Sequence, residues 1–528
     1  MYDLYKPLRN RLRTLSLVPS LLGVHRLIQF AQFGSPLPPA LRYPGFGWRP
    51  RLQVGLHEWT LELLARELIL NAPDIGPRAM TTWDEFASLA NLVLDIENQT
   101  WGRAPDGRAL IEYEMVRIAH RQFPWQVRAD SRLITVYFKL YSSDRLADLM
   151  MQAYGMTAAE FFQIGLAISG HFLERPLLDL PVANEVNAVP QPVVDRLVDR
   201  LSLPLAELRT QIAGGQAYNL NWAYAFDPLR TWPMIRLEDD QLLCPMPTLL
   251  LWRMTEGVYF DLVQHRQPFD QHFGLAFQNL VGEVIRAADA EGRLRLFGEE
   301  RYGSRQRPRD SVDWIIQDDT ATVFLECKAS RLKARAKVDL HDTATIDGEV
   351  DRLAGFIVQV YATMADAIGG AYRQWRPNGS PVYPLVVTLD EWLPSGRSLI
   401  HRLEAKVREG LQARDLPPAL LTDHPFSLCS LYEFEAAARA FSSAGVQAVM
   451  GAKTAGEENG WAMLPFLQNR FPRAVSEGRM LFEAEWDAIS PGSRPAPLAP
   501  PPAAGVTEMV EEVPAPLRDD PRSRRARG

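Results

Sequence analysis

The chain has 528 residues, with 57 Lys and Arg against 64 Asp and Glu and a formal net charge of −7. Its length allows two or three domains with full cores, and 47% hydrophobic with 23% charged residues is ordinary for globular protein. The negative balance excludes a protein that coats nucleic acid by bulk charge, though not a local basic groove. Three widely spaced cysteines (Cys244, Cys327, Cys429) exclude a disulfide framework and a Cys-rich zinc site, and point to a reducing, cytoplasmic setting.

Residues 1–219 read as a mostly helical N-terminal region. The first thirty are basic and amphipathic, and Arg26 interrupts them too early for a bilayer span, so no membrane association is expected. Apolar residues crowd a helix from Trp59 to Leu70, and Thr81 or Thr82 can cap another beginning at Trp83. The β-branched and aromatic run Leu133-Ile134-Thr135-Val136-Tyr137-Phe138 is the clearest strand candidate of this half. Two short helices flank Ser202-Leu203-Pro204. The second carries one basic and one acidic residue, too few donors for a DNA recognition helix, so the pair reads as a plain helical hairpin.

Residues 220–258 form a connector: a proline-punctuated β-hairpin turning at Glu238-Asp239-Asp240-Gln241, then a helix. Residues 259–445 alternate helices and strands, the pattern of an α/β domain. A helical extension follows over 446–490. The Pro/Ala/Arg composition of 491–528 predicts a disordered tail.

Chemistry concentrates in one stretch of the α/β domain. Asp313 opens the apolar run Trp314-Ile315-Ile316, a polar turn follows at Gln317-Asp318-Asp319-Thr320, and Phe324-Leu325-Glu326-Cys327-Lys328 closes the next run. Alternate strand residues share a face, so Glu326 and Lys328 point together and Cys327 points into the core. A hairpin with that turn brings Asp313 beside Glu326. Two carboxylates and an ammonium on one patch suit a hard divalent cation and an attacking water. Upstream, apolar residues at 277, 280, 281, 284 and 285 mark an amphipathic helix with Gln278 at the edge of its stripe and Glu283 nearly opposite.

Asp313 and Glu326-Cys327-Lys328 on adjacent strands, with a helix before and after, resemble the PD-(D/E)xK nuclease superfamily over about residues 260–445. The resemblance implies an α/β, restriction-endonuclease-like fold, a mixed central sheet flanked by helices, set behind the largely α-helical N-terminal region. It implies Asp313 and Glu326 as metal-ligating carboxylates and the Cys327 carbonyl as a further ligand. Lys328 would orient the water or steady the developing charge, or close a structural salt bridge with Glu326. Mg²⁺ is the implied cofactor, with Mn²⁺ as substitute.

The resemblance also expects a Gly-x-x-Phe-Glu pattern. This chain reads Gly274-Leu275-Ala276-Phe277-Gln278, so an amide stands where an acid is usual. Asp310, close after Pro308, competes with Asp313 for the first acid. The implied function is a metal-dependent nuclease hydrolysing phosphodiesters, in DNA rather than RNA, in defence or repair. The N-terminal region is left for substrate choice, a protein partner or regulation. The alternative, favoured by Gln278, is a non-catalytic nucleic-acid- or protein-binding scaffold or sensor.

Between Arg293 and Lys337 there are eleven Lys/Arg against seven Asp/Glu. Arg331, Lys333, Arg335 and Lys337 recur at every second position, a stripe able to hold a phosphate backbone if the strand continues. A helix from 345 to 365 carries a core-facing Tyr361 and, on its other side, Gln359 as a groove-lining contact. Strands are expected at 382–389 and near 426–431, with helices from Ser398 to Leu411 and from Glu433 to Phe441.

Overall fold

The computed structural model describes residues 1–43, 56–101, 109–126, 131–182, 189–333, 337, 343–391, 397–476 and 480–490. The expected tail at 491–528 lies outside them. The architecture is mixed α/β, with helices dominating the N-terminal half. Helices Tyr2–Leu12, Leu17–Phe33, Glu58–Asn71 and Trp83–Trp101 pack around one apolar core that includes Leu21, Leu64 and Phe86. Thr82 does cap the fourth: its Oγ1 accepts from the Glu85 N–H at 3.3 Å.

The run 133–138 is a helix, Ser131–Tyr141, and not a strand. Each of its six residues is buried. A segment buried all round shows no polar face, so its period cannot be read, and β-branched content then misleads. Ser202–Pro204 is also more than a hairpin turn. It pairs parallel with Met234–Arg236 inside a four-stranded sheet whose other members are Gln241–Leu243 and Leu177–Asp179. The connector hairpin is present as the Met234–Arg236 and Gln241–Leu243 pair.

The second sheet positions the site. Helix α1 (Arg266–Ala288) leads into strand β1 (Arg295–Gly298), then β2 (Trp314–Gln317) and β3 (Thr322–Lys328). Helix α2 (Thr343–Ile368) crosses to β4 (Val382–Thr388), and α3 (Arg397–Gln412) to β5 (Ser427–Ser430), which α4 (Leu431–Ala444) follows. The order is β5-β4-β3-β2-β1: β1 pairs antiparallel with β2 and β2 with β3, while β3 pairs parallel with β4 and β4 with β5. An exposed hairpin, Arg301–Ser304 with Arg307–Asp310, stands between β1 and β2 in the chain.

Both faces of β3 are covered, which is why its sequence is a nearly unbroken apolar run. Val323 and Leu325 join a core shared with α1 and α4, and Phe324 joins another shared with α2. The β2–β3 turn is held by Asp318, whose Oδ1 accepts from the Thr320 and Ala321 N–H groups at 2.8 and 2.9 Å. Helix α1 lies close on β2 at Gly282: a Cβ there would stand 2.3 Å from the Trp314 ring. Trp314 Nε1 donates to the Gln278 carbonyl at 2.9 Å, fixing the helix against the strand that begins beside Asp313.

Candidate active site

The β2–β3 register pairs Trp314 with Leu325, so the next rung sets Asp313 across from Glu326 on one face of the sheet. Asp313 Oδ2 accepts from the Cys327 N–H at 2.6 Å, which anchors the carboxyl at the mouth of the strand pair. Glu326 is 3% exposed. Its Oε1 accepts from Lys328 Nζ at 2.7 Å and from Gln359 Nε2 at 2.8 Å, and Gln359 Oε1 accepts from Lys328 Nζ at 3.1 Å. The three side chains close a ring of hydrogen bonds. Glu326 Oε2, also buried, has no partner among the described residues.

Burial and the neighbouring Glu326 charge push the Asp313 carboxyl up to about 7, against the pull of the Cys327 N–H and Lys328. Burial likewise raises Glu326, and the Lys328 ammonium opposes it. Two acids that resist ionising together, at the end of adjacent strands, form a site that gains from an added positive charge. That property lies in electrostatics, beyond what the packing of the fold requires.

Asp313, Glu326, Lys328 and Gln359 therefore converge. Gln359 does so as a direct partner of the Glu326–Lys328 pair, whereas Tyr361 is buried and donates to the His424 carbonyl at 2.6 Å. Gln278 makes no bond to Asp313 or Glu326 among the described residues; its Nε2 donates to Glu299 Oε2 at 3.2 Å. Glu299, just after β1, adds a like charge that is a lesser cause of the rise at both Asp313 and Glu326. Nothing in the local sequence of Glu299 sets it apart. Asp310 belongs to the exposed hairpin and pairs with Arg301 at 3.0 Å, away from the two carboxylates.

The basic stripe is not a row of free cations. Arg331 is buried, pairs with Asp390 at 2.7 Å, donates to the Glu256 carbonyl at 2.9 Å and lies over the Tyr259 and Phe260 rings. Lys337 pairs with the same Asp390 at 3.1 Å and Lys333 with Glu349 at 3.5 Å. Arg335 lies outside the described residues. Cys327 sits opposite Val387 in the parallel β3–β4 pairing, and burial drives its thiol well above its ordinary range.

Among the described residues, no group of three or more His, Cys, Asp or Glu side chains is arranged to hold a metal ion. The donors fit a weaker demand. Mg²⁺ is commonly bound by one or two carboxylates, with water and substrate phosphate completing the shell, and the orphaned Glu326 Oε2 is a ligand atom without another use. No helix among the described residues is long and apolar enough to cross a membrane. Comparisons with family models, curated proteins and solved structures found no match for this chain in any of the three.

Proposed function

We propose that the chain is a metal-dependent nuclease of the PD-(D/E)xK type, hydrolysing phosphodiester bonds with Mg²⁺. One observation carries the reading: Glu326 Oε2 is buried with no partner among the described residues, beside a second, half-buried acid. An unsatisfied carboxylate oxygen costs about 1–3 kcal/mol or more, and it is retained where function uses it. Asp313 and Glu326 would hold the ion, which when bound would neutralise charge on the phosphate. The mixed sheet flanked by helices, with Asp313 at the start of β2 and Glu326 near the end of β3, supports the restriction-endonuclease-like fold. Lys328 sits where it can orient an attacking water or steady the developing charge, and Gln359 keeps its ammonium in register.

A second reading, a non-catalytic scaffold, has its own support in the closed Lys328–Glu326–Gln359 ring and in Gln278 where an acid is usual. Cleavage of plasmid, single-stranded DNA and RNA in Mg²⁺ or Mn²⁺ separates the two. The nuclease reading expects cutting by the wild type that Asp313→Ala and Lys328→Ala each reduce by about a hundredfold or more. Silence of concentrated wild type on every substrate supports the scaffold. Equal cutting by the variants refutes this site.

A further inference from the structure

A second chemically equipped cavity, of about 520 Å³, lies along β5, the strand at the opposite edge of the sheet from β1. That volume is in the range of small-molecule sites. Thr388 and Ser430 line it at the carboxyl ends of the parallel strands β4 and β5, where ligands of parallel sheets bind. Helix α3 supplies Leu403, Glu404 and Arg408, and rings come from Phe426 and Trp461.

The polar groups of the lining divide into committed and uncommitted ones. Glu433 is committed: its Oε2 accepts from the Ser430 N–H and hydroxyl, and its Oε1 from the Leu464 N–H. Lys453 is committed too, donating to the Glu458 and Asn459 carbonyls at 3.2 and 2.9 Å. Ser427 is 2% exposed, and its buried hydroxyl has no partner among the described residues. No hydrogen bond or ion pair reaches Glu391 or Glu404 among the described residues, and burial with the like charges of Glu433 and Asp390 pushes the Glu391 carboxyl up to about 8, so a bound cation would draw it into its charged form. Arg408 is the exposed exception of opposite sign. The unused capacity is thus two carboxylates and a buried hydroxyl against one guanidinium at the rim.

We propose that this cavity binds a small organic cation, a primary ammonium or guanidinium compound with an apolar or aromatic body. Glu391 and Glu404 take its charge, Ser427 accepts one of its N–H groups, and Phe426 and Trp461 pack its body, with cation–π attraction adding to the fit. Asp313, Glu326 and Lys328 are not among the lining residues, although Thr388 of the lining pairs with Lys328 across β3 and β4, and the proposal does not depend on the nuclease reading.

Isothermal titration of the full chain with phenethylamine and agmatine tests this, with phenylacetate and phenethyl alcohol as controls of the same body. At least one amine is expected to bind with a Kd of about 1 mM or tighter, ahead of both controls. Glu391→Gln and Glu404→Gln, each first checked for an unchanged melting profile, are expected to weaken it about tenfold through loss of a charge-assisted bond. Asp313→Ala is expected to bind as the wild type does, which keeps this result apart from any failure of cleavage. No heat from either amine at about tenfold higher concentration overturns the proposal. Tighter binding of phenylacetate, or binding indifferent to both Glu→Gln changes, overturns it as well.

Discussion

Asp313→Asn should make the protein more stable while removing its cleavage activity, and the gain should depend on pH. In the folded chain the Asp313 carboxyl is raised from 3.8 to about 7 by burial and by Glu326. The folded state therefore binds more protons than the unfolded state between those values, and stability falls as pH rises through the window. Above it the full penalty applies; a rise of that size corresponds to ~4 kcal/mol, and to about 2 kcal/mol at pH 5.5 where only part of the window has been crossed. Asparagine carries no charge and still offers an oxygen to the Cys327 N–H. The variant is expected to gain up to ~4 kcal/mol over wild type at pH 8.5, about half that at pH 5.5, and almost nothing near pH 3.5. Urea denaturation in metal-free buffer at the three pH values reads it from the midpoints. A variant less stable than wild type at pH 8.5, or a gain that ignores pH, would refute the claim that burial and the Glu326 charge oppose ionisation of Asp313.

Arg331→Ala should destabilise the fold by about 3–5 kcal/mol, because it leaves the largely enclosed Asp390 without its main partner. Denaturation checks this, and weaker nucleic-acid binding at unchanged stability would instead make Arg331 a phosphate contact. Gly282→Ala forces a methyl to within 2.3 Å of the Trp314 ring, so a loss of about 1–3 kcal/mol is expected from overpacking, read by denaturation monitored by tryptophan fluorescence. No change in stability would mean that α1 can slide away from β2.

Strand-level patterning was the legible part of this chain. The turn at Asp318, the two strands around it, the helix bearing Gln278 and the later alternation of strands and helices all follow from local periodicity and turn chemistry. The convergence of Asp313, Glu326 and Lys328 follows from the period of two along a strand plus the length of one turn. Three things were hidden. The run 133–138 of the helix at 131–141 is buried throughout, which erases the contrast between faces over the stretch that looked like a strand. Glu299 reaches the site from a position set by how β1 pairs with β2, a non-local fact. The basic run from Arg331 looked solvated because its partners, Glu256, Asp390 and Glu349, are distant in sequence and meet it only through tertiary packing.

The apolar interior that begins at Leu133 and ends at Ile489 does not stop at the border of the sheet: Phe138 and Phe162 of the early helices belong to the same cluster as Leu325 and Leu385. Arg331, three positions past Lys328, also reaches back to Glu256. Excising residues 259–445 as a portable cassette would therefore uncover aromatic surface and leave a guanidinium short of a neighbour. Shuffling of this sheet into other chains would have to carry the helices from residue 131 onward along, which makes a unit much longer than the sheet the piece that selection can move.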